Sequence, residues 1–139
     1  MEERKTMQKT DLMIGNYIRD IWSEDGFFKV TELRKDKVLY GNCLKAQYKN
    51  VRPIPLTEEI LLKCGAKKIE DDHVYLMLND ASTHLILMKV GEYWYPSIEQ
   101  EAEFSMLDSN IISLERIDSV HELQNLYKVL TKNELDIKI

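Results

Sequence analysis

Few residues of this chain have a type and spacing that could carry chemistry. The histidines are His73, His84 and His121, and the cysteines are Cys43 and Cys64. Asp71-Asp72-His73 would meet His84 across a hairpin, and two imidazoles with a carboxylate suit a divalent metal. Metal ligands need outer partners that fix them. The sequence shows none, so the bland reading is a polar turn and two ordinary histidines. Cys43 or Cys64 beside a histidine would give a nucleophile with its base. No local signature brings such a pair together, and without Cys-x-x-Cys spacing the cysteines read as reduced, buried thiols. Neither a G-x-S-x-G elbow nor a glycine-rich phosphate loop occurs. No catalytic residue, metal ligand or cofactor is therefore assigned, and the reading leans away from an enzyme.

Binding chemistry is better represented. Tyr93-Trp94-Tyr95 precedes Pro96. In a strand, Tyr93 and Tyr95 share one face and Trp94 takes the other. At least one of these rings belongs in a core or an interface. The sharper alternative is a stacking surface for a base or a proline-rich peptide. Residues 28–53 carry Lys29, Arg34, Lys35, Lys37, Lys45, Lys49 and Arg52 against Glu32 and Asp36, a local charge of +5. Phe28, Tyr40 and Tyr48 interleave with them, a pattern that suits single-stranded nucleic acid or an acidic protein. A solvated strand face is the plainer reading. The candidate binding surface comprises Lys29, Arg34, Lys37, Tyr40, Lys45, Tyr48, Arg52, Tyr93, Trp94 and Tyr95. Residues 92–136 lean the other way, at −7, with ten acids against Arg116, Lys128 and Lys132. Glu99-Gln100-Glu101-Ala102-Glu103 reads as a solvated loop, with a phosphate-mimicking surface as the sharper option.

The elements that must position these residues follow from pattern. Residues 1–10 read as a flexible arm. Leu12, Ile14, Tyr17, Ile18 and Ile21 are strand-like, and Ser23-Glu24-Asp25-Gly26 is a hairpin turn in which Asp-Gly supplies positive φ. Phe28 and Val30 begin a second strand, and Val38-Leu39-Tyr40 is a third, ended by Gly41-Asn42. Arg52-Pro53-Ile54-Pro55 is an extended connector. Thr57 caps a short helix that ends at Gly65. A second antiparallel meander follows: a strand through Val74, Leu76 and Leu78, a turn at Asn79-Asp80-Ala81-Ser82, and a strand over residues 84–90. Gly91-Glu92 then turns into Tyr93-Trp94-Tyr95, and a last strand covers residues 111–117.

Residues 119–132 form the clearest helix. Ser119 is its N-cap and Glu122 stands at the capping-box spacing. Val120, Leu123, Leu126, Tyr127 and Leu130 make an apolar stripe. His121, Glu122, Asn125, Lys128 and Lys132 fall on the other side, and Val129 lies opposite the stripe. Asn133 takes the left-handed exit, and Leu135, Ile137 and Ile139 alternate as a short final strand. The fold class is α+β: an N-terminal small antiparallel SH3-like half-barrel, a short helix, a second antiparallel meander and a C-terminal amphipathic helix. Residues 11–139 read as a single domain with subregions 11–56 and 57–139.

Length and charge bound the rest. At 139 residues, with 44% hydrophobic and 31% charged residues, the composition is globular. Its net charge of −5 disfavours a chain dominated by nucleic-acid phosphates. No apolar run reaches the roughly 20 residues of a membrane helix, and the charged N-terminus lacks the apolar stretch of a secretory signal. The expectation is a cytoplasmic protein away from membranes.

Three blocks carry a resemblance: Leu12-Met13-Ile14-Gly15-Asn16-Tyr17, Ile54-Pro55-Leu56-Thr57-Glu58-Glu59-Ile60-Leu61-Leu62-Lys63, and Val120-His121-Glu122-Leu123-Gln124-Asn125-Leu126-Tyr127. In this order, over about residues 12–135, the chain resembles a family of small uncharacterised proteins of bacterial phages, prophages and mobile elements. The family pattern often has Phe at Ala66, Gln at Glu122 and Gly near Lys132. Those departures touch caps and packing, and the resemblance transfers no active-site residue. It implies an accessory protein, and the residues favour a non-enzymatic module that binds a host or phage protein. The alternatives are a nucleic-acid-binding accessory protein using residues 28–53, and a small-molecule binder or small enzyme.

Overall fold

The structure is a computed structural model and describes residues 7–70, 73–77, 83–100 and 110–138. It is α+β, mostly antiparallel strands with a short helix and a closing helix. The strands are β1 (Tyr17–Asp20), β2 (Ser23–Leu33), β3 (Lys37–Tyr40), β4 (Leu44–Gln47) and β5 (Val51–Arg52). After α1 (Glu58–Lys63) come β6 (Lys67–Glu70), β7 (His73–Met77), β8 (Thr83–Val90), β9 (Tyr93–Gln100) and β10 (Asn110–Ser113), and then α2 (Val120–Thr131). No described helix is long and apolar enough to cross a membrane. The chain divides into two compact units, Met1–Pro55 with Ser119–Asn125, and Leu56–Asp118 with Leu126–Ile139.

The first unit is a curled five-stranded sheet in the order β4-β3-β2-β1-β5. Long β2 serves both halves, pairing with β1 at its start and with β3 at its end. The first hairpin differs from expectation. Asp20 pairs with Ser23, so the turn is Ile21-Trp22 and Asp25-Gly26 lies within β2. The Asp20 carboxylate accepts from the Trp22 N–H at 3.0 Å and fixes that turn. Gly26 is needed for space rather than for positive φ: a Cβ there would stand 2.6 Å from the Phe28 ring. Strands β4 and β5 were not foreseen, because Lys, Gln and Arg at their solvent-facing positions mask the pattern. The core gathers Ile18, Val30, Val38, Tyr40, Ala46 and Val51, with Leu12 and Met7 packed against them.

The first turns of α2 complete this unit. Tyr17 N–H donates to the Gln124 side-chain carbonyl at 2.8 Å, and the Gln124 amide donates to the Gly15 carbonyl at 3.1 Å. One side-chain amide thus serves β1 where β5 no longer pairs with it. Buried Asn16 adds a bond to Asn125 at 2.8 Å and accepts the Met13 N–H. At the helix start the Ser119 hydroxyl donates to Glu122 at 2.7 Å and lies 3.0 Å from His121 Nδ1. His121 is buried, not on the solvent side. The buried arc runs from Leu123 through Val120 and Gln124 to His121, wider than the apolar stripe and turned away from Leu126 and Leu130. Val129, 75% exposed, lies outside it.

The second unit is a meander in the order β10-β9-β8-β7-β6. Thr57 caps α1 by accepting the Ile60 N–H at 3.2 Å, and Gly65 follows at φ +91°. Val74, Leu76, Leu85, Leu87 and Trp94 are the buried alternating positions; Leu56, Leu61, Ala66, Ile117, Leu135 and Ile137 are also buried. The last strand is shorter than expected and stops at Ser113. Beyond it Leu114 N–H still bonds the Pro96 carbonyl, but Pro96 has no N–H to return. Pairing resumes at Trp94 and Ile117 after one extra residue. Leu135 and Ile137 are buried with Asp136 exposed between them, yet no ladder forms there. Lys132, at φ +63°, makes the left-handed exit in place of Asn133. The turn expected at residues 79–82, its neighbour Leu78, Ile139, and residues 101–103 of the acidic run lie outside the described residues.

Candidate functional site

Pairing registers decide which predicted binding residues reach solvent. On the first sheet, Lys29 stands opposite Tyr17, Lys37 opposite Gln47 and Lys45 opposite Leu39. These lysines share the outward face, because their neighbours Val30, Val38 and Ala46 are buried. Glu32 breaks the positive field: it stands on the other side of Leu39 and binds Arg34 at 3.0 Å. Tyr40 leaves the candidate surface altogether. It is buried, and its hydroxyl donates to Asp20 at 2.6 Å. Burial first, then that hydrogen bond, holds the Tyr40 phenol far above its ordinary pKa. Tyr48 packs against the core and donates to the Arg34 carbonyl. Arg52 is half-buried, with Nη1 on the carbonyls of Lys49 and Val51.

Trp94 also leaves the surface. It is 2% exposed, and its indole N–H donates to the Leu56 carbonyl at 3.0 Å. Tyr93 and Tyr95 take the opposite face, as alternation requires. There Tyr95 pairs across strands with Met88, and Tyr93 with Val90. Met88 pairs on its other side with His73, and Ile86 with Tyr75. Tyr95 is 38% exposed, Met88 38% and Val90 51%. Arg116 lies over the Tyr93 ring at 3.8 Å. The outer face of the second sheet is thus apolar and aromatic, bordered by an arginine. Met88, Val90 and Arg116 were missed from sequence. The available signal was the run of residues 84–90, apolar at both parities, which marks a strand with two apolar faces.

The metal option does not assemble. His73 pairs with Met88 and His84 with Met77, which sets the two histidines four residues apart along one face, about 13 Å. Asp71 and Asp72 lie outside the described residues. The His84 ring instead meets the edge of Tyr75 at 5.2 Å. Among the described residues no group of His, Cys, Asp and Glu could hold a metal ion.

The thiols are unlike each other. Cys43 is exposed in the β3–β4 turn at φ +67°, against the expectation of burial. Burial, with the Asp136 charge second, pushes the Cys64 thiol up to about 12. The thiolate is the reactive form. Iodoacetamide around pH 8 is therefore expected to alkylate Cys43 and spare Cys64 in the folded chain, with both labelled in denaturant. Peptide mass mapping reads the result.

No family model, curated protein or solved structure gives a significant match to the chain.

Proposed function

We propose that the chain is a non-enzymatic protein-binding module that docks a host or phage protein on the outer face of its second sheet. The observation that carries this reading is the exposed Met88–Tyr95 pair beside Val90, with Tyr93 under Arg116. Tyr, Met and Arg are enriched at interfaces, and contiguous exposed apolar patches mark binding sites. The three-block resemblance to phage and mobile-element proteins supports an accessory role. The first unit we read as an SH3-like half-barrel. Two free thiols suit a reducing cytoplasm.

The test is affinity capture from host lysate with native chain and with Tyr95→Ala, each with and without nuclease. Native chain is expected to keep one specific protein after nuclease. Tyr95→Ala is expected to weaken that complex about 30-fold, the effect of a hot-spot residue, at unchanged thermal midpoint. Loss of every partner on nuclease treatment sinks the reading, and so does equal capture by the variant.

A further inference from the structure

Arg19 and Arg52 stand directly opposite each other in the β1–β5 ladder. Their neighbours Ile18, Asp20 and Val51 are buried, so both arginines lie on the outward face. Like charges directly opposed in an antiparallel pair work against folding. Among the described residues no carboxylate relieves the opposition. Arg19 Nε donates to the Pro53 carbonyl at 3.1 Å and Nη1 to the Glu24 carbonyl at 2.9 Å. Arg52 Nη1 donates to the Lys49 and Val51 carbonyls at 2.6 and 3.0 Å. These acceptors are neutral. They fix each guanidinium without cancelling its charge. Asp20, the acid nearest in sequence, is buried and engaged by Tyr40 and Trp22. Among the described residues neither arginine has an ion-pair partner or an acceptor for Nη2; Arg52 Nε also lacks an acceptor but is buried, so Nη2 is the donor each arginine offers.

We infer that Arg19 and Arg52 form an oxyanion site that takes a phosphate group. Two guanidiniums with a total charge of +2 match a phosphate dianion better than a single carboxylate, and each keeps an Nη2 donor for a charge-assisted hydrogen bond to a phosphate oxygen. The tethers hold the guanidiniums in place before the ligand arrives. The bond from Arg19 to Glu24 also ties it to the first hairpin, whose turn residue Trp22 is 66% exposed. An exposed indole near a phosphate site is what a stacked base requires. The group can thus come from a free phosphate or from a nucleic-acid strand.

The experiment titrates the full chain with inorganic phosphate at low ionic strength and follows the arginine Nε–Hε resonances. Saturable shifts at Arg19 and Arg52 are expected. Apparent affinity should fall about tenfold or more in Arg19→Gln and Arg52→Gln, and stay unchanged in Lys67→Gln, an exposed lysine of the second unit. Arg19→Lys keeps the charge and loses the tethered guanidinium with its Nη2 donor, and serves if a glutamine variant fails to fold; weaker binding is expected there too. Equal shifts with sodium chloride at matched ionic strength overturn the site, as does undiminished binding in the Arg19 variants. A second arm uses a short single-stranded oligonucleotide. Tighter binding than inorganic phosphate, weakened by Trp22→Ala, supports the site with a phosphodiester ligand. Affinity equal to inorganic phosphate, indifferent to Trp22→Ala, supports it with a free phosphate.

Discussion

Trp94→Ala is expected to lower the unfolding free energy by about 3–5 kcal/mol, the cost of truncating a buried aromatic side chain. Trp94 is among the largest fully buried side chains of the chain. It joins three segments of the second unit. Its indole bonds the Leu56 carbonyl, and its backbone N–H and carbonyl bond Ile117. Alanine keeps the backbone bridge, empties the ring volume and leaves the Leu56 carbonyl without its donor. Trp94→Phe separates these effects. It retains most of the ring volume and removes the indole N–H, so about 1–2 kcal/mol is expected. Urea denaturation followed by far-ultraviolet circular dichroism reads both variants. A loss under 1 kcal/mol in Trp94→Ala contradicts the buried placement.

Gln124→Leu is expected to cost about 2–4 kcal/mol in the first unit. Leucine has comparable bulk and is more apolar, so a helix held by greasy packing alone would tolerate it. Here the side-chain amide answers the Tyr17 N–H and the Gly15 carbonyl. Leaving two backbone groups unpaired in a part-buried setting costs roughly 1–3 kcal/mol each. Amide hydrogen exchange provides the readout, with Tyr17 N–H losing protection. Val129→Ala on the same helix is the control. Val129 is 75% exposed, and a change within about 0.5 kcal/mol is expected.

The parts of the fold written in local chemistry could be read from sequence. Thr57 and Gly65 bracket α1 because capping and left-handed exits involve only a few neighbouring residues. The alternation of Val74 with Leu76, and of Tyr93 with Tyr95 about Trp94, reports a two-residue period that any strand must obey. Errors arose where distant partners decide the outcome. Asp25-Gly26 has turn chemistry, but pairing of Asp20 with Ser23 placed the turn at Ile21-Trp22. His121 and Gln124 are polar by type and buried by partners more than a hundred residues away in the case of Gln124. The candidate site was half legible. Tyr93 and Tyr95 could be assigned a shared face, whereas Met88, Val90 and Arg116 join it only through strand register. The opposition of Arg19 and Arg52 is likewise a property of register, since nothing in either segment names the other.

The reach of Gln124 back to Tyr17 sets an order of events during synthesis. Tyr17 leaves the ribosome 107 residues before its partner. At about 5–20 residues per second that interval is on the order of 5–20 s. Throughout it β1 offers an unanswered backbone donor at its margin, the kind of edge that recruits foreign strands. A chaperone that shields nascent β edges would act on this chain in that window, and a ribosome stalled before residue 124 would hold the first sheet unfinished.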